Sequence, residues 1–285
     1  MNYIEILTYY LLKIFRVFVS ILTSKMRRRL SNLLAVIIFK YYKKRQDLAY
    51  SNLMQAFPEQ TKIWREKTLL KSYKFFFFQF FEFLSFPGCW EKIKFNVNGK
   101  HYLDNALKEK KGILLITAHF GSWEMLSFWL GKNRYEAYGV AQKQKNKGAN
   151  DFFKEQRSRS GVFHIFRKSG LDKFYKVLDK NNILGLVSDQ DANKKGVFVK
   201  FFNKLASTPK GTALFYQNRK SPMIFAICTQ VDDFNYNINF SRLDTTKDDT
   251  TSITQSYTTM LENFIIKNPS QYFWFHNRWK TRPLE

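Results

Sequence analysis

The chain has 285 residues, of which 47 are Lys or Arg and 23 are Asp or Glu, so its formal net charge is +24. A charge this far from zero indicates anionic partners, because no fold requires it. The two cysteines, Cys89 and Cys228, lie far apart beside apolar residues, which argues against a disulfide framework or a paired-cysteine metal site and favours a reducing compartment.

The N-terminal segment combines positive charge with apolar residues. Between residues 6 and 46 there are ten Lys and Arg and no acidic residue. Because Lys13 and Arg16 interrupt the first apolar run, the pattern predicts two amphipathic helices, about residues 3–23 and 29–43, that lie in a membrane interface. A tilted membrane span with both cations snorkelling and a helical hairpin packed on the domain are the alternatives. A signal peptide is disfavoured, since the basic cluster follows the apolar segment.

The next segment, residues 67–84, predicts a helix with seven phenylalanines between Phe75 and Phe83. So many rings favour a central buried helix over one that lines a route for acyl chains. The chain then alternates strand and helix, which is typical of α/β proteins. The predicted strands are residues 93–97, 113–117, 137–140, 162–165, 183–188, 223–228 and 236–240. The predicted helices are residues 102–109, 123–130, 147–159, 171–180, 208–217 and 252–268, the fifth capped by Thr208 with Pro209 at its first position.

The most informative stretch is residues 113–124, ILLITAHFGSWE, in which an apolar run leads to His119 and, five positions later, to Glu124. Five residues are about 500° of rotation on a continuous helix, so the two side chains meet only if His119 lies ahead of the helix. At the end of a buried parallel strand, Glu124 would hold the imidazole while His119 takes a proton from an alcohol. The alternative is an accidental pairing.

Two further polar groups follow predicted elements. Arg157 and Arg159 end a helix, where a guanidinium binds a phosphate or an oxyanion, or simply complements the helix dipole. Asp189 and Asp191 follow an apolar strand; we expect Asp189 to orient Arg157 or a donor amine and Asp191 to be a solvated turn residue. An acid-x-acid pair without further ligands is poor support for a cation site, and we expect no metal.

Four sequence blocks occur in one order between about residue 43 and the C-terminus, and together they resemble a known family. They are Asn52-Leu53 with residues 56–59, His119 to Glu124, Asp189-Gln190-Asp191 with residues 196–202, and residues 274–283. The second block resembles the His-x4-Asp/Glu motif of glycerolipid acyltransferases. The set resembles the secondary acyltransferases of lipid A biosynthesis.

The resemblance implies an α/β fold with a mixed, mostly parallel sheet flanked by helices, divided into an N-terminal helical membrane-binding segment, residues 1–45, and an acyltransferase domain, residues 46–285. It implies O-acyl transfer from an acyl carrier protein thioester to a hydroxyl of a lipid A precursor, with no cofactor, at the cytoplasmic face of the inner membrane. His119, Glu124 and Arg157 would be catalytic. Residue by residue, the match places Arg159, Asp189, His276 and Arg278 at the substrate, with His276 and Arg278 on the cleft wall, where they support the fold or contact acceptor phosphates.

Two other functions fit parts of the sequence. A lysophospholipid or aminolipid O-acyltransferase would share the chemistry and differ in its acceptor. A basic membrane- or nucleic-acid-binding protein without catalysis would explain the charge, although the chain has no zinc-finger spacing, RNP-like block or Gly-x-x-Gly clamp, so nucleic acid is not the expected partner.

Overall fold

The computed structural model describes residues 1–88 and 92–283. Within these residues, seven strands form one sheet in the order β1-β9-β8-β2-β5-β3-β4, and two further strands, β6 and β7, form an antiparallel hairpin. The neighbours in the sheet are parallel except β8 and β9. Their bounds are β1 Lys94–Asn98, β2 Ile113–Thr117, β3 Ala137–Ala141, β4 Phe163–Phe166, β5 Ile183–Val187, β6 Val197–Phe201, β7 Lys204–Thr208, β8 Met223–Gln230 and β9 Asn235–Arg242.

Helices cover both faces of this sheet, which confirms the predicted α/β fold with a mixed, mostly parallel sheet. Strands β2 and β8 are buried along their whole length, as expected of apolar central strands that have helices on both sides. The helices are α1 Tyr3–Ile21, α2 Ser24–Tyr41, α3 Lys43–Ala56, α4 Lys62–Ser85, α5 Lys100–Lys108, α6 Trp123–Lys132, α7 Lys147–Ser158, α8 Leu171–Asp179, α9 Gly211–Arg219 and α10 Thr250–Lys267.

Two parts of the fold were not predicted, helix α3 and the β6–β7 hairpin. Phe202 and Asn203 have φ of 49° and 57°, so the chain turns through two left-handed residues, and Thr208 pairs with Val197 at the end of the ladder. The prediction that Thr208 caps a helix was wrong. That helix, α9, begins three residues later at Gly211, because Thr208 is still a strand residue. Cys89 lies outside the described residues, whereas Cys228 is a buried thiol of β8 whose pKa is raised by burial.

The N-terminal helices pack on the rest of the molecule through α4 and α7. Arg27 of α2 donates from Nε to Glu82 of α4 at 2.7 Å, and both side chains are almost fully buried. Gly148 of α7 lies against the backbone of α1, since a Cβ at this position would lie 1.8 Å from the Glu5 carbonyl oxygen. Helix α4 contributes buried rings to the core, as predicted, including Phe75, Phe78, Phe81 and Phe83. Within the described residues, we find no helix with the length and apolar character needed to cross a membrane.

Candidate active site

His119 lies just beyond the carboxyl end of β2 and ahead of α6, as the sequence predicted. The turn between them depends on Gly121, which has φ +62° and packs so closely on β8 that a Cβ would lie 2.1 Å from the Cys228 carbonyl oxygen. The Ser122 backbone N–H donates to that same carbonyl, and α6 begins at Trp123. Glu124 is therefore in the first turn of α6, where a helix N-terminus favours a carboxylate.

The carboxylate that contacts the His119 imidazole is that of Asp189. Nδ1 of His119 lies 2.8 Å from Asp189 Oδ1, and the His119 backbone N–H donates to the same oxygen at 3.0 Å. We call His119 and Asp189 the dyad. The strand register explains why they are in contact: β2 and β5 are parallel neighbours that pair Thr117 with Val187, and each residue of the dyad follows its strand by two positions. Since a carboxylate only accepts, Nδ1 carries the proton, and Nε2 is the nitrogen that can take a proton from a substrate.

The expected contact between Glu124 and His119 is replaced by an ion pair. Glu124 Oε1 accepts from Nε of Arg157 at 3.1 Å and from Nη2 at 3.0 Å, with 21% and 27% of the two side chains exposed. Helix α6 turns Glu124 toward the last turn of α7 and away from the imidazole. The prediction that Asp189 orients Arg157 was also wrong. Asp189 binds His119 and Glu124 binds Arg157, which is the reverse of the two pairs expected from the sequence.

Asp189 is buried, with only 3% of its side chain exposed, yet its pKa is lowered. Burial alone would raise the pKa, but the charge of His119, its two hydrogen bonds and the charge of Arg278 outweigh burial. Behind the carboxylate, Arg278 is also buried, with Nη1 donating to the Ser207 carbonyl at 2.7 Å and Nη2 to Thr208 Oγ1 at 2.5 Å. Arg278 lines a small internal cavity with Asp189. It was expected either to support the fold or to contact acceptor phosphates; its burial and its hydrogen bonds to β7 fit the first role and not the second.

The other predicted site residues are spread around the dyad. His276 is half-buried, and its Nε2 accepts from the Asp191 backbone N–H at 3.0 Å, while burial lowers its pKa, so the ring is a neutral structural acceptor. Asp191 accepts from the Thr281 backbone N–H at 3.2 Å and from Thr281 Oγ1 at 3.0 Å, so it holds the C-terminal segment and is not a free turn residue. Arg159 is exposed at the end of α7, where its charge acts on Arg16 of α1.

Aromatic side chains surround the exposed part of the His119 ring. Its centroid lies 5.4 Å from that of Trp123 and 6.1 Å from that of Phe273. Phe76 of α4 contacts both of these rings at 5.9 and 5.2 Å. We call Phe76, Trp123, Phe273 and Phe275 the aromatic wall; each is half-buried. The imidazole thus lies beside an apolar surface.

A small cavity is lined in part by Arg157 of the Glu124–Arg157 pair. Its lining combines cations, amides and the His164 imidazole with two phenylalanines: Gln142, Gln144, Asn150, Phe153, Lys154, Arg157, His164 and Phe166, with Ala141 at its edge. Burial and the nearby Arg157 charge lower the His164 pKa, which favours the neutral ring. Sequence reasoning assigned no role to His164, which follows no motif.

Asn52 and Phe57 show how three of the four sequence blocks meet in space. Asn52 is buried in α3 and donates from Nδ2 to the backbone carbonyls of Trp274 and His276, both at 2.7 Å. The Phe57 ring contacts those of Phe202 and Trp274 at 5.1 and 6.0 Å. The signal available in the sequence was a polar residue among Ala49, Leu53 and Ala56, the buried face of α3. Asn52 therefore fixes the C-terminal segment around the dyad.

This arrangement can abstract a proton through His119, which the Asp189 carboxylate orients, and it also provides a partly exposed cation, Arg157. In the described part of the chain, no group of three or more His, Cys, Asp or Glu side chains is placed to hold a metal ion.

A family model for the bacterial lipid A biosynthesis acyltransferases matches residues 1–281. The chain is 25% identical over 259 residues to a lipid A biosynthesis lauroyltransferase of Escherichia coli, covering 88% of this chain and 84% of that protein. It is 30% identical over 203 residues to a lipid A biosynthesis acyltransferase of Haemophilus influenzae, covering 69% and 62%. It is 24% identical over 189 residues to a phosphatidylinositol mannoside acyltransferase of Mycobacterium tuberculosis, covering 64% of this chain and 59% of that protein.

Proposed function

Because the chain belongs to the bacterial lipid A biosynthesis acyltransferase family, we propose that it transfers a fatty acyl group from an acyl carrier protein thioester to a hydroxyl of a lipid A precursor. The observation that carries the proposal is the dyad: a half-exposed His119 whose Nδ1 is bound by the buried Asp189 carboxylate. Nothing in this chemistry needs a cofactor, since the thioester supplies the activated acyl group.

The reaction runs in one displacement on the thioester carbonyl. Nε2 of His119 takes the proton of the acceptor hydroxyl as its oxygen attacks the carbonyl carbon, and Asp189 stabilises the imidazolium. The tetrahedral intermediate then expels the carrier thiolate, which takes the proton from His119 and leaves as a thiol. The ester bond formed replaces the thioester bond broken.

Arg157 supplies positive charge close to this step. The guanidinium stabilises the oxyanion of the intermediate or binds a phosphate of the acceptor, and Glu124 holds it in place through two hydrogen bonds. The aromatic wall receives the apolar acyl chain, which gains free energy by leaving water. Arg159, outside the cleft, is not required in this mechanism.

The N-terminal helices present an apolar surface suited to the membrane interface. Ile4, Ile14 and Ile21 of α1 are 68%, 66% and 75% exposed, and Leu33, Val36 and Ile37 of α2 are also exposed. The same helix α2 exposes Lys25, Arg29 and Lys40. Single exposed apolar residues are ordinary, but helices that expose many apolar residues together with cations are typical of membrane interfaces. We therefore propose residues 1–45 as the membrane-contacting segment, residues 46–285 as the acyltransferase domain, and the cytoplasmic face of the inner membrane as its location.

Lipid analysis tests the function directly. Mass spectrometry of lipids from cells with and without the gene should show one acyl group missing from lipid A, which identifies both donor length and acceptor. A deficit confined to phospholipids or aminolipids would replace the acceptor while keeping the chemistry, the alternative favoured by similarity to the mannoside acyltransferase. Purified His119→Ala should lose about 100- to 10,000-fold in turnover with acyl carrier protein thioester. Near-normal activity of that variant would refute the mechanism.

A further inference from the structure

Five titratable groups from three parts of the chain face the Asp189 carboxylate. His119 lies on it directly, Tyr257 approaches from α10, and Tyr272, His276 and Arg278 come from the C-terminal segment. Both tyrosines are uncharged at neutral pH, since burial raises their pKa, and burial lowers the pKa of His276. Among the described groups that face Asp189, Arg278 is therefore the one permanent cation.

The guanidinium of Arg278 donates to no carboxylate among the described residues. The acceptors of its two hydrogen bonds at 2.7 and 2.5 Å, the Ser207 carbonyl and Thr208 Oγ1, are neutral, and it lines the same internal cavity as Asp189. Arg278 also interacts electrostatically with Glu262, but burial raises the pKa of that carboxyl and so disfavours its charged form. The Tyr272 phenol lies between the two charges and interacts with both.

We propose that Arg278 is the buried counter-charge of the dyad: it keeps the Asp189 carboxylate ionised while His119 is neutral and thereby sets the lower pH limit of acyl transfer. This inference rests on the proposed function of the dyad. The active form, with His119 neutral and Asp189 ionised, carries a net negative charge inside the protein, where an unpaired charge is costly. A fixed cation stabilises that form over both protonated forms, whichever group of the pair holds the proton.

The test is the pH profile of kcat/KM for acyl transfer by wild type, Arg278→Lys and Arg278→Gln. The Gln variant should shift the acid limb upward by about one pH unit or more, because the negative form of the dyad loses its cation. The Lys variant keeps the charge while losing the planar fork, so its acid limb should stay close to that of wild type even if its turnover falls. If Arg278 merely ties Ser207 and Thr208 to the C-terminal segment, both variants lose folded protein and neither moves the midpoint, which would overturn the proposal.

Two controls keep the result interpretable. Arg219→Gln removes an exposed arginine of α9 that pairs with Asp179, and should leave the profile unchanged. If Arg278→Gln alone does not fold, the double variant Asp189→Asn with Arg278→Gln should recover folding, because it removes both buried charges; a double variant as unstable as the single one would contradict the pairing. If His119→Ala is inactive and the acid limb of Arg278→Gln is not shifted, this inference alone is refuted. If His119→Ala is active, the proposed function itself is refuted.

Discussion

Replacing Asp189 by Asn should nearly abolish turnover and also lower the melting temperature, because it leaves the buried Arg278 without its counter-charge. The amide has the same shape and still accepts from the His119 backbone N–H, which donates at 3.0 Å. Because the amide is neutral, it can no longer stabilise an imidazolium. Both hydrogen bonds of His119 end on the same oxygen, so an amide flipped to donate to Nδ1 would lose the bond from the backbone N–H. We expect kcat to fall about 1,000-fold, which corresponds to about 4 kcal/mol in activation free energy.

Glu124→Gln should have a far smaller effect, about tenfold or less, because the ion pair with Arg157 is partly exposed and screened by solvent. The assay is single-turnover transfer from an acyl thioester to a purified lipid acceptor. Asp191→Asn is the matched control, because it makes the same substitution two residues after Asp189. It weakens the contacts to Thr281 and should lower the melting temperature with little effect on kcat. An active Asp189→Asn together with an inactive Glu124→Gln would refute the reasoning and assign the imidazole to Glu124.

Three further predictions concern charge and membrane contact. Arg157→Lys keeps the charge and loses the planar fork, so turnover should fall about 100-fold, worth about 3 kcal/mol, in the same assay. The Asp189 pKa is lowered in the folded protein. The ionised carboxylate therefore stabilises the fold above its unfolded pKa of about 3.9, and this stabilisation is lost as the pH falls through the folded pKa. The free energy of unfolding of Asp189→Asn, measured with denaturant, should therefore depend less on pH below about pH 4 than that of wild type. Sedimentation with anionic vesicles should weaken as salt rises and weaken further in Ile14→Glu, but not in Leu205→Glu, which places the same charge on an exposed residue of β7. Salt-insensitive binding reversed only by detergent would contradict an interfacial surface.

The fold was largely predictable because its strands are apolar runs whose burial leaves little choice of structure. Strand β2 was placed at its observed bounds, and the two N-terminal helices within a few residues of theirs. The β6–β7 hairpin was missed because its turn uses Phe202 and Asn203 in left-handed conformations, without the glycine that marks such turns.

The contacts among the candidate site residues could not be predicted from the sequence. His119 and Asp189 follow apolar strands by the same offset, but only the sheet order makes β2 and β5 neighbours, and spacing along one chain carries no information about order. Sequence proximity therefore favoured Glu124 as the partner of His119. The burial of Arg278 was equally invisible, since alternation of aromatic and basic residues is also the pattern of an exposed strip.

The close packing of α1 on α7 has a consequence for the order of synthesis. The ribosome completes α1 well before Gly148, the residue that contacts the Glu5 carbonyl, has been added. Throughout that interval α1 can pack on α4 through contacts such as Phe15 with Phe81, but the surface that α7 provides is still missing. Under the proposed membrane contact, a bilayer is the alternative apolar phase for that face, so the nascent chain would reach it before the His119–Asp189 dyad has been assembled.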